Sequence, residues 1–177
     1  MNKNEIEGLL NNYSFNEYKW INAKNIKVAN WVRMKCTYGC PDYGKAVCPP
    51  NTPAVEQCRE FINEYQDVII IRFSFEADKN NYPKIFSDEI TNKLLKLESE
   101  IFLKGYYKVF TLNQNCCILC NECAKTKVDC KNPKSSRPSP EAFAVDVYAT
   151  VRSVGFPINV VGREKQIINR YAFVLVE

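Results

Sequence analysis

Apolar residues recur along two stretches of the chain with the period of an α-helix. Residues 53–65 and the longer stretch 87–104 place an apolar side chain at every third or fourth position, so that one face of each helix is apolar. Ser87 suits the N-cap of the longer helix, and Gly105 suits the position just past its end. A third helix is predicted over 139–154, because Ser139 can cap it, Pro140 fits its first turn and Gly155 would end it.

Shorter apolar runs predict the strands. Residues 67–75 contain the aliphatic run Val68-Ile69-Ile70-Ile71, which is typical of a central strand that is buried on both faces. Further extended segments are predicted at 28–34, 108–112, 158–161 and 171–176. Helices interleaved with strands favour one domain spanning residues 1–177, with an α/β or α+β fold in which helices flank a mixed sheet.

The content of cysteine and histidine limits the kinds of active site and metal site that the chain can form. The chain has nine cysteines and no histidine, which excludes a Ser-His-Asp triad and any mixed Cys/His zinc finger. The run at 68–71 is far shorter than the roughly 20 apolar residues of a membrane helix, and residues 1–20 lack the apolar core of a signal peptide. We therefore expect a cytoplasmic protein, and clustered cysteines in a reducing compartment indicate metal or redox chemistry.

The cysteines form two groups along the chain. The later one, which we call the second group, is the more informative: Cys117-x2-Cys120-x2-Cys123-x6-Cys130. Bacterial ferredoxins open with the same C-x2-C-x2-C spacing to bind a [4Fe–4S] cluster, whereas structural zinc usually takes two separated cysteine pairs. Zinc nonetheless accepts four thiolates and stays the alternative metal. The loop is basic, and its cations would stabilise an anionic cluster: Lys125, Lys127, Lys131, Lys134 and Arg137. We expect Arg137 to lie within reach of the cofactor.

A first cysteine group, Cys36, Cys40 and Cys48, is spaced less regularly, and prolines that hold open loop geometry follow two of its members. We predict that this group also binds metal, although three thiolates leave one iron of a [4Fe–4S] cluster without a ligand. Cys58 lies on the apolar face of its predicted helix, so core packing suits it better. Cys116 would point away from Cys117 in an extended segment, and would either complete the first group or have no role.

These residues resemble a known family. The sequences VRMKC at 32–36, CPDYGK at 40–45 and CPP at 48–50 are similar to the opening motif of DUF2284, a family of small prokaryotic proteins described as predicted metal-binding. CILCNECA at 117–124, RPS at 137–139 and DV at 146–147 agree with its second motif, so the resemblance runs from about Val32 to Gly155. One departure is Ala144, where the family generally has glycine. The resemblance implies metal binding by the cysteines and no settled reaction.

Three functions are compatible with these patterns. The leading hypothesis is a cytosolic protein with one or two [4Fe–4S] clusters that transfers electrons to a redox partner protein and is not itself an enzyme. The second is an enzyme with an open iron at the three-cysteine loop, where Asp146, Glu141 or Tyr43 would act as acid or base. The third is a zinc-stabilised binding module. The net charge of +4 is too small to indicate nucleic acid as the partner, and no membrane is expected.

Overall fold

A computed structural model describes residues 1–77, 84–162 and 165–177, with the side chains of 84–87 left out. In these residues the helices are α1 (Lys3–Asn12), α2 (Asn30–Gly39), α3 (Val55–Asn63), α4 (Lys84–Leu103) and α5 (Val147–Ser153). The strands are β1 (Tyr18–Asn22), β2 (Asp67–Ala77), β3 (Phe110–Leu112) and β4 (Gln166–Leu175). Two short 3-10 helices, Ala23–Asn25 and Glu141–Phe143, complete the described elements. The fold is α+β, and no helix among the described residues is both long and apolar enough to cross a membrane.

The four strands form one sheet in the order β1-β2-β4-β3. All three neighbouring pairs are antiparallel, and the longest pairing runs from Val68 opposite Leu175 to Ala77 opposite Gln166. The expected mixed sheet is therefore corrected to an antiparallel one. The sequence pattern marks where strands lie but carries no information about their direction when helices or long loops connect them.

The prediction of a central strand buried on both faces is confirmed in β2. Val68 and Ile70 pack on one side of the sheet in a core that α3 and α5 cover, and Ile69 and Ile71 pack on the other side with α1 and α4. All four side chains have 0% exposure. The continuous aliphatic run therefore reflects two apolar cores, one on each face of the sheet.

Several predicted elements are wrong. Residues 28–34, predicted as extended, instead lead into helix α2, in which only Val32 is buried. Residues 158–161 form no strand, and Val160 is 76% exposed. Helix α1 and strand β1 lie where the sequence pattern predicted no element. The longest helix begins at Lys84, before the proposed cap Ser87, whose side chain lies outside the described residues. Its predicted end is confirmed, because Gly105 follows with φ +98°.

The helix predicted over 139–154 is broken in the middle. A 3-10 turn ends at Phe143, Ala144 takes the left-handed conformation with φ 58°, and Asp146 caps a new helix by accepting the Ala149 backbone N–H at 2.9 Å. Left-handed backbone favours glycine, which explains why the resembling family carries glycine where this chain has Ala144. Gly155, at φ +74°, ends α5 as predicted.

Candidate metal centre

The two cysteine-rich segments lie against each other. The backbone N–H of Ala46 donates to the Ala124 carbonyl at 3.0 Å, which joins the first segment to the second. The Asn51 side-chain amide approaches the carbonyl oxygens of Gly44, Lys45 and Lys125 at 3.2, 3.1 and 2.8 Å. One side chain therefore ties both loops together, and the two cysteine groups share one region of the molecule.

Helix α2 is fixed over this region by Arg33, a residue of the opening motif. Its Nη2 donates to the carbonyl oxygens of Pro53 at 3.0 Å and Ala142 at 3.2 Å. The Ala29 backbone N–H also donates to the Ala144 carbonyl at 2.9 Å. The bonds from Ala29 and Arg33 hold the first half of α2, the helix that carries Cys36, beside the turn at 141–143.

The first cysteine group gains a fourth member in the structure. Cys36, Cys40, Cys48 and Cys116 all line one cavity of about 190 Å³, which we call the first site. Cys116 follows β3 and so reaches this cavity from a distant part of the chain. Cys116 therefore lies where the first group lacks a fourth thiol, which agrees with the first of the two roles that the sequence left open for it.

Burial dominates the electrostatics of the first site. It raises the pKa of Cys48 to about 12, and burial together with a hydrogen bond to Asp42 raises the pKa of Cys116 to about 12. Burial also raises the pKa of Cys36. These thiols are protonated at neutral pH in the metal-free chain, so a metal that binds them must displace their protons. Lys45 forms an ion pair with Asp42 at the edge of the site.

The second cysteine group stays together as the spacing predicts. Cys117, Cys120, Cys123 and Cys130 line a separate, much smaller cavity of about 10 Å³, which we call the second site. Asn132 Nδ2 donates to Cys120 Sγ at 3.1 Å. Burial raises the pKa of Cys117, while the Leu119 backbone N–H, which donates to its sulfur, lowers it. N–H donors directed at sulfur are the groups that stabilise thiolate ligands.

Cys58 lies apart from both sites. It has 0% exposure, belongs to the core cluster that contains Ile62 and Val68, and lines neither cavity. Its thiol donates to the Pro53 carbonyl at 3.5 Å. The packing role inferred from helical phase agrees with this position.

Arg137, expected near the cofactor, has other contacts. Its Nε lies 3.0 Å from both carboxylate oxygens of Glu98, its Nη2 also pairs with Glu98, and its guanidinium lies over the Phe110 ring at 5.5 Å. It lines neither cysteine cavity. Other cations do lie at the sites: Lys131 lines the second cavity, Arg170 lines the first, and Lys45 interacts electrostatically with Cys116 and Cys123.

Of the three residues proposed as acid or base, two lie at the first cavity and one does not. Glu141 and Tyr43 line the first cavity together with the cysteines. Asp146 lies outside it, because its carboxylate caps α5. Gln114, which the sequence analysis did not single out, also lines the first cavity. Its only sequence signal is its position just before Cys116.

The donor chemistry of both sites fits an iron–sulfur cluster. Each site offers four cysteine sulfurs, the usual ligand set of a [4Fe–4S] cluster. A single zinc ion holds its sulfurs about 2.3 Å away, and hence about 3.8 Å from one another. Within the described ranges, no three or more Cys, Asp or Glu side chains converge closely enough to hold one metal ion. The donor set therefore fits a cluster at both sites, but the space fits one only at the first, whose cavity is about 190 Å³ against about 10 Å³ at the second.

Comparison with known proteins agrees with this chemistry at the level of the family. The family model described as "Predicted metal-binding protein (DUF2284)" matches residues 19–176. No curated protein and no solved structure matches the chain. Since the match covers nearly the whole sequence, the chain belongs to the DUF2284 family of predicted metal-binding proteins.

Proposed function

We propose that this chain is a two-cluster iron–sulfur protein that passes single electrons between redox partner proteins. One observation carries the proposal: Cys116 and Cys117 are consecutive residues, yet Cys116 lines the first site and Cys117 the second. Consecutive Cα atoms are about 3.8 Å apart. Two groups ligated by neighbouring residues therefore lie side by side, which is the arrangement that electron transfer between them requires.

The sharing of ligands has a parallel in two-cluster ferredoxins. There, the last cysteine of one ligand run binds the other cluster, so that a single stretch of chain serves both. Here, the short stretch at residues 116–123 supplies ligands to both sites. When bound, each [4Fe–4S] cluster takes up or gives back one electron. The partners are accordingly a one-electron donor protein and a one-electron acceptor protein.

Helix α2 offers a surface where such a partner could dock. Trp31, Met34 and Tyr38 are 51%, 50% and 84% exposed, and their spacing places them on one face of the helix that carries Cys36. Large exposed apolar side chains grouped in this way mark interaction surfaces. Helix α2 contains no Asp or Glu and carries the exposed Lys35, which favours a partner whose matching surface is acidic.

The two alternatives have less support. An open iron was motivated by a first group with only three cysteines, and Cys116 at that cavity supplies the fourth sulfur. Structural zinc usually takes two separated cysteine pairs, whereas the second group is one continuous C-x2-C-x2-C run. Glu141 and Tyr43 at the first cavity keep acid–base chemistry as the second candidate.

The experiment combines metal analysis with single cysteine variants. Anaerobically reconstituted protein should hold about eight irons per chain, as two [4Fe–4S] clusters require, and should take up about two electrons from reduced methyl viologen. Cys116→Ser and Cys120→Ser should each lose about half the iron, from the first and second sites respectively, because serine is a poor ligand for iron in place of thiolate. Cys58→Ser is the matched control and should keep all of it.

A magnetic measurement tests the proximity of the clusters. When both are reduced, their EPR signals should show spin–spin splitting, and Cys116→Ser should leave one unsplit signal. A colourless protein with stoichiometric zinc after iron–sulfide reconstitution would refute the proposal. So would a Cys116→Ser variant that keeps all its iron.

A further inference from the structure

Gln114 carries a buried hydrogen-bond donor that has no partner among the described residues. The residue is 4% exposed, and its Nε2 makes no hydrogen bond within 1–77, 84–162 and 165–177. The residue lines the first cavity together with Cys36, Cys40, Cys48 and Cys116. Leaving a buried amide N–H unpaired costs free energy, and buried polar groups in proteins nearly always have a partner. We therefore expect the Gln114 Nε2–H to have a hydrogen-bond acceptor within the first site.

The backbone around Gln114 is held firmly. Its own N–H donates to Asn113 Oδ1 at 2.9 Å, and the Asn113 N–H donates to the Pro138 carbonyl at 2.8 Å. The Asn113 side-chain amide in turn donates to Thr91 Oγ1 at 3.0 Å, and Asn113 is itself buried. Because these bonds fix the segment between β3 and Cys116, the Gln114 side chain stays at the first cavity.

We propose that Gln114 is a positioning residue of the first site, whose Nε2–H donates to a sulfur of the cluster that the four cysteines hold. The proposal rests on the proposed function. A donor aimed at a cluster sulfur stabilises the extra negative charge of the reduced state, and so raises the reduction potential.

The second site contains a matching group whose bond is already formed. Asn132 Nδ2 lies 3.1 Å from Cys120 Sγ. Each site would then have one side-chain amide that donates to a sulfur of that site. Along the chain, Gln114 precedes the second cysteine group and Asn132 follows it. This pairing also supplies the control, since the two amides serve different sites and should act on them separately.

The test is a redox titration followed by EPR on the fully loaded protein. Gln114→Leu, which keeps the size but removes the donor, should lower the potential of the first cluster and leave the second unchanged. Asn132→Leu should do the reverse. In protein labelled with ¹⁵N-glutamine, the reduced first cluster should show a hyperfine coupling to one side-chain nitrogen, and Gln114→Leu should abolish it.

A second variant covers a failure to fold, and any of three results would overturn the proposal. If Gln114→Leu does not fold, Gln114→Met removes the donor with a more adaptable side chain and should give the same selective shift. Unchanged potentials in a folded, iron-loaded variant overturn the proposal, as does an equal shift of both. A missing ¹⁵N coupling in the parent protein assigns the amide to a different acceptor and also overturns it. Failure of the proposed function is separate, because the parent protein would then bind no iron.

Discussion

Replacing Arg137 with leucine tests whether this residue stabilises the fold or the cofactor. Its guanidinium pairs with Glu98 through Nε and Nη2, and the exposed fractions of the two side chains are only 18% and 10%. The same Glu98 carboxylate accepts the buried Thr111 N–H of β3 at 2.8 Å. Arg137→Leu would leave a buried carboxylate without its cation, next to a strand of the central sheet.

The expected loss follows from the burial of the pair. Removing one partner of a buried ion pair costs about 3–5 kcal/mol, and the residual exposure of Arg137 places this pair at the lower end, about 3 kcal/mol. A protein of this size loses roughly 2–4 °C in melting temperature per kcal/mol, so we expect a decrease of about 6–12 °C. The reduction potentials of both clusters should not change, because Arg137 lines neither cavity.

The assay compares three variants by thermal unfolding and urea titration. Glu98→Gln keeps an acceptor for the Thr111 N–H and leaves a cation that can turn toward water, so it should lose less stability than Arg137→Leu. The double variant Glu98→Gln/Arg137→Leu should be more stable than Arg137→Leu alone, since no buried charge is left unpaired. EPR titration of the same samples gives the potentials.

The interpretation of Arg137 as a structural residue fails under either of two results. A loss below about 1 kcal/mol in Arg137→Leu would show that the ion pair has only the strength of an exposed one. A lowered reduction potential of the second cluster in Arg137→Leu with full iron content would instead show that Arg137 acts on the cofactor, as the sequence suggested.

Two further substitutions test the loops around the sites. Asn51→Ala removes the amide that bridges both cysteine loops, and should lower the free energy of unfolding by about 1–2 kcal/mol. It should also speed the loss of iron to a chelator from both sites. Asn25→Ala, at an exposed position, is the control, and equal rates of iron loss in the two variants would contradict the bridging role. Asp146→Ala removes the cap of α5 and should lower the free energy of unfolding by about 0.5–2 kcal/mol with unchanged iron content. Asp146→Asn keeps the cap and is the control. Iron loss in Asp146→Ala would contradict the assignment of Asp146 as a helix cap.

The features that the sequence predicted correctly are those that depend on neighbours along the chain. The run of four aliphatics in β2, the helical phase of Cys58 and the Gly105 and Gly155 helix ends are all encoded within a few residues. The grouping of Cys117, Cys120 and Cys123 is local for the same reason, since two-residue spacings wrap one loop around a small volume.

Local patterns failed where exposed apolar residues imitate a strand. The stretch 28–34 looks extended because Trp31 and Met34 lie near Val32, but these two side chains are exposed on helix α2 and only Val32 is buried. The helix predicted over 139–154 failed at Ala144. The left-handed conformation of this residue is held by its surroundings, since its carbonyl accepts the Ala29 N–H and its side chain is fully buried.

The sequence by itself therefore determined the family, and it predicted seven cysteines as metal ligands. Tertiary structure alone placed Cys116 with Cys36, Cys40 and Cys48, and brought Gln114 to the same cavity. The physical reason is the distance along the chain between these residues. Local spacing fixes which side chains share a loop or a helix face, but contacts between distant segments exist only once the sheet and its two cores bring those segments together.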